Sequence, residues 1–87
     1  MEILTIGDFI KWKRSMVGLS QHELSDQAVA CLPGVSGLQR SAVAHWEQNN
    51  RIPNHSQVRA IGDALELSPV EKDQLVELII EAELHNA

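Results

Sequence analysis

Gln39, Arg40, Ser41 and His45 crowd the front of a short segment, 39–48, whose remaining positions include Val43 and Trp46. At helical spacing Val43 and Trp46 fall on one side, and Leu38 is placed as a staple against Val43. Gln39, Arg40, Ser41 and Ala44/His45 then point the other way, near the leading end. The chemistry of such a set is hydrogen bonding to a polar edge, not bond making. A short rod, apolar behind and polar in front, suits a DNA major groove about 12 Å wide. Asn50 and Arg51 follow in a turn, where they are candidates to grip phosphates. Each also has a plainer reading. Arg40 and Arg51 taken singly are surface charges, and His45 could simply cover the helix.

Other chemistry finds no footing in the pattern. His22, His45, His55 and His85 share no metal-ligand spacing with one another or with Cys31. There is no glycine-rich phosphate loop, and no nucleophile is set beside a base. The expectation is therefore no metal, no cofactor and no enzyme. A lone cysteine builds no disulfide framework, which fits a reducing cytosol. Cys31 reads as a small buried apolar residue on the inner face of its helix, or else as a reactive or dimer-linking thiol.

The elements that must position the polar front are marked by their starts. Thr5 to Asp8 and Ser20 to Glu23 have the capping-box pattern, with Leu4/Phe9 and Leu19/Leu24 as staples. Asn54 and Ser68 are further caps, the latter followed by Pro69 at the first helical position. Gly18, Pro33-Gly34 and Asn49 to Pro53 are breaks. The spacing predicts helices near 6–17, 20–31, 39–48, 54–65 and 69–84. Ile6, Phe9, Ile10 and Val17 share a face of the first. Leu24, Ala28 and Cys31 share one in the second, and Val58, Ile61 and Leu65 in the fourth. No strand-like alternation persists, so the fold expected is all-α, five helices in a single domain. Residues 1–67 would form its core unit and 68–87 a C-terminal helix.

From Arg14 to Pro53 the chain resembles the lambda-repressor-like, or XRE-type, helix-turn-helix family. The residues that carry the resemblance are Arg14, Gly18-Leu19-Ser20-Gln21, Glu23-Leu24, the run from Gly37 to Glu47, and then Asn49 and Pro53. It covers roughly residues 6–67. It implies a transcriptional regulator that binds double-stranded DNA, with Arg40, Ser41 and His45 as base readers and Gln39 beside them. In that setting Arg40 could give a guanine edge two hydrogen bonds, worth about 1–3 kcal/mol of discrimination. It implies a phosphate contact at Gln21, at a helix start where free N–H groups favour anions. It also implies a structural ion pair between Arg14 and Glu47. The chain departs from the family in a longer connection, with the excess between Val29 and Ser36, and in Ser25 where alanine is usual. The longer loop could touch DNA or a partner, or be an insertion of little entropic consequence.

The net charge of −5 is unusual for a nucleic-acid binder. Residues 1–60 carry six basic against five acidic side chains, whereas residues 61–87 carry Lys72 against seven acids. This asymmetry suggests two functional faces or a solvated terminal helix. The last helix is too apolar for one stripe. Leu75, Val76, Ile79 and Ile80 are accordingly expected to form a homodimer interface, or else the helix packs against the first helix of its own chain in a monomer. The alternative is an antitoxin-type interaction module whose acidic C-terminal helix binds a partner protein. No run approaches a membrane span of ~18 apolar residues. The first residues lack the pattern of a signal peptide, so the expected location is cytoplasmic.

Overall fold

The structure, a computed structural model, describes residues 5–85. Among these residues five helices follow in order: α1 (Ile6–Val17), α2 (Gln21–Cys31), α3 (Arg40–Glu47), α4 (His55–Ala64) and α5 (Pro69–His85). Among the described residues there is no strand, so the architecture is all-α. Among the described residues no helix is long and apolar enough to cross a membrane.

Local sequence accounts for the ends. The Thr5 hydroxyl accepts the Asp8 N–H at 3.1 Å. Ser20 with Glu23, and Asn54 with Gln57, form reciprocal capping boxes. Ser68 and Glu71 exchange the same pair of bonds at the start of α5. Each cap satisfies N–H groups that the helix cannot, worth about 1 kcal/mol. α1 stops at Gly18, whose φ of 76° is left-handed. There the Gly18 and Leu19 N–H groups close on the Ser15 and Arg14 carbonyls. The leading staple expected at Leu4 lies outside the described residues.

The core gathers Phe9, Ile10, Leu24, Ile61, Leu65 and Leu75, with Val43 and Trp46 beneath α3. α1 packs on α3 and α5, α2 packs on α3 and α4, and α4 on α5. Ser25 is buried but satisfied, its hydroxyl donating to the His22 carbonyl at 2.9 Å. Cys31 corrects the buried reading of that residue: it is exposed. The step of four from Ala28 lands on Leu32, and that side chain packs on the core in its place.

Helix α5 brings a second correction. Leu75 and Ile79 are 1% and 9% exposed, so they belong to the chain's own core and are not free to meet another copy. Val76 and Ile80, at 41% and 52%, are the exposed pair. The hydropathy pattern held two rival faces, and packing on α1 and α4 selects Leu75 and Ile79 for the interior.

Candidate nucleic-acid interface

Everything at this site depends on how α3 is held. Its inner face is Val43 and Trp46, 1% and 2% exposed, with Leu38 buried just ahead of the helix. Its far end is tied to α1 twice. Arg14 Nε donates to Glu47 Oε2 at 2.7 Å and Nη2 to Oε1 at 3.0 Å, a bidentate pair. Arg14 Nη1 also donates to the Leu19 carbonyl at 2.9 Å, which fixes the guanidinium from behind. The hydrogen bond to Glu47 raises the Arg14 pKa, opposed by burial and aided by the carboxylate's charge. The pairing implied by the resemblance is thus present, with Glu47 the more enclosed partner, its side chain 5% exposed against 16%.

The second tie runs through Asn49, read from the sequence as a turn residue, but its bond to Gly7 had no sequence signal. Asn49 sits at φ 60°, a left-handed position that asparagine tolerates. Its Oδ1 accepts the Gly7 N–H at 3.0 Å. A Cβ on Gly7 would stand 2.5 Å from the Glu47 carbonyl oxygen and 2.8 Å from that of Trp46. Glycine there lets the start of α1 press directly on the end of α3.

The lead-in to α3 is anchored from the other side. Gln57, already in the α4 capping box, donates through Nε2 to the Ser36 and Gly37 carbonyls, both at 3.2 Å. Gly37 has φ 73°, and a Cβ on it would lie 2.5 Å from that same Nε2. The connection between α2 and α3 therefore has a bonded end, and Val35 and Leu38 pack inward along it. Gln57 was missed because its contact spans 20 and 21 residues with no local pattern.

With α3 so held, Gln39, Arg40, Ser41 and His45 are all exposed. Gln39 occupies the N-cap position but gives no side-chain cap, leaving the front of the helix unblocked. Open grooves of about 440 Å³ and about 590 Å³ flank this front, and Gln39 and Ser41 line both. His45 and Arg51 line the first, Arg40 and Asp26 the second. Arg40 and Arg51 make no ion pair among the described residues, whereas Glu47 is neutralised by Arg14. Asp26 lies 3.3 Å from His22 Nε2, a pair that is ionic only when the imidazole is protonated.

The expected phosphate contacts divide. Arg51 and Asn50 are exposed in the turn after α3, and the Asn50 amide donates to Gln48 at 3.0 Å. Gln21 is partly buried and donates to Glu47 Oε1 at 3.2 Å. Its side chain joins the Arg14–Glu47 network, so its first role is to orient the carboxylate. Among the described residues no group of three metal-ligating side chains gathers.

Comparison of the chain with protein-family models, with curated proteins and with solved structures finds no match.

Proposed function

We infer that this chain is a sequence-specific double-stranded DNA-binding protein of the helix-turn-helix kind, a transcriptional regulator acting as a repressor through α3 in the major groove. One observation carries the reading: the leading end of α3, with Gln39, Arg40 and Ser41, is exposed and uncapped while its back is locked to the core. In helix-turn-helix docking the front of the second helix meets base edges and the first helix crosses the backbone. Here α2 and α3 pack on each other in that order. Arg40 and Ser41 stand at the first helical positions, with His45 one turn on. Arg51 offers a charge to a phosphate beside the recognition helix. Two copies side by side on DNA would read half-sites about 34 Å apart, one helical turn.

Selection of bound fragments from a genomic library, followed by salt titration of the selected duplex, tests this. Arg40→Ala is expected to weaken the selected site about 5- to 150-fold, the loss of one bidentate base contact. Salt-dependent binding to random duplex should survive that change. If no sequence is enriched, or Arg40→Ala weakens all duplexes alike, the base-reading role is refuted.

A further inference from the structure

The outer side of α5 carries an apolar row that the fold leaves uncovered. Leu75 and Ile79 face the core, with Leu78 packed beside them. Steps of about 100° per residue then place Val76, Ile80 and Leu84 on the far side. They are 41%, 52% and 71% exposed, in an i, i+4, i+8 row. Scattered exposed apolar side chains are ordinary, but a continuous row on one helix marks a contact surface.

The borders of this row are acidic. Glu77, Glu81 and Glu83 flank it and Asp73 stands on its line one turn before Val76; all four are exposed, and none is paired with a cation of the described residues. The other charges of α5 are engaged: Glu71 with Lys13 at 2.7 Å, and Lys72 with Asp63 at 3.5 Å. We propose that this face docks an amphipathic helix of a different protein, apolar along one side and bordered by lysine or arginine.

A second copy of this chain fits the face poorly. Two α5 helices paired about a two-fold axis would set carboxylate borders against each other. A basic segment turns the same borders from a penalty into attraction and steering. Polarity along the helix sets its register. Lys72 and Arg59 share a groove with Val76, so the partner's cations belong over Glu77, Glu81 and Glu83. Nothing in this depends on α3 touching DNA.

The full chain is titrated with a labelled synthetic helical peptide, leucine along one side and lysine on both borders, read by fluorescence anisotropy. Its counterpart has glutamate for lysine. The lysine peptide is expected to bind about tenfold tighter or better, and Ile80→Asp to weaken it by a similar factor. Ile80→Asp adds negative charge, so simple attraction would strengthen binding, whereas apolar docking predicts the loss. Glu77→Gln with Glu81→Gln should narrow the preference between the peptides. Equal affinity for both peptides, or no loss with Ile80→Asp, overturns the proposal. So does a dimer in light scattering that Ile80→Asp dissociates, since the occupant is then a second copy. Thermal melting shows that each variant folds. Duplex binding by Ile80→Asp should be unchanged, which separates failure here from failure of the DNA reading.

Discussion

Replacing Arg14 by alanine should do more damage than replacing Glu47, although the two make one ion pair. Arg14→Ala strands the Glu47 carboxylate, whose side chain is 5% exposed in the intact pair, with Gln21 as its remaining side-chain donor. Glu47→Ala strands a guanidinium that is already 16% exposed in the intact pair and keeps its bond to the Leu19 carbonyl. Stranding one member of a buried pair costs about 3–5 kcal/mol. The partial exposure of Arg14 puts Arg14→Ala near ~3 kcal/mol and Glu47→Ala near ~2 kcal/mol on the same scale. A chain of this length is stable by roughly 4–13 kcal/mol, so ~3 kcal/mol is a large share. The matching fall in Tm is roughly 12–24 °C. Urea denaturation of both single variants and the double variant, at neutral pH, measures these costs. The double variant should be no less stable than Arg14→Ala, because removing Glu47 as well removes the stranded charge. If Arg14→Ala costs under about 0.5 kcal/mol, the level of an ordinary surface change, the pair does not hold α3. If Glu47→Ala proves the costlier, the assignment of the enclosed partner is mistaken.

Two glycines should respond to alanine with opposite signs in the same thermal assay. Gly7→Ala drives a Cβ to 2.5 Å from a backbone oxygen of α3, an overlap of about 1–3 kcal/mol that outweighs the helical gain. Gly62 lies inside α4 with nothing nearer than 3.7 Å, so Gly62→Ala should stabilise by up to about 1 kcal/mol. Equal signs would refute the close approach at Gly7. Glu71 sets a pH dependence: the Lys13 hydrogen bond first, then the Ser68 N–H, hold its carboxyl below the ordinary 4.5. A depressed acid contributes stability above its unfolded value and loses it as pH falls through the folded one. Glu71→Gln should therefore flatten the decline in stability between about pH 5 and about pH 3, and an unchanged acid limb would refute the assignment.

Much of the frame was legible because it is written over three or four residues. Capping boxes at Ser20 and Asn54 join positions three apart, so the helix starts could be read directly and the observed bounds differ by a residue at most. Apolar spacing likewise placed Phe9, Ile10, Leu24, Val43 and Trp46 inside, where they are found. The polar front at Gln39 to Ser41 followed as the other side of the same pattern. Arg14 with Glu47, 33 positions apart, was available only through resemblance to a known family.

The remaining decisions belonged to the tertiary structure, because they join residues that no local period relates. Asn49 meets Gly7 across 42 positions, and Lys13 meets Glu71 across 58. Lys13 and Arg14 are neighbours in α1, about 100° apart around its axis, so one helix holds α5 and α3 by different faces. The apolar content of α5 was equally plain, but its two faces are nearly interchangeable by hydropathy. Only contact with α1 and α4 could bury Leu75 and Ile79 and leave Val76 and Ile80 outside. A sequence sets how much apolar surface a helix owns, and its neighbours in space determine which part of it stays wet.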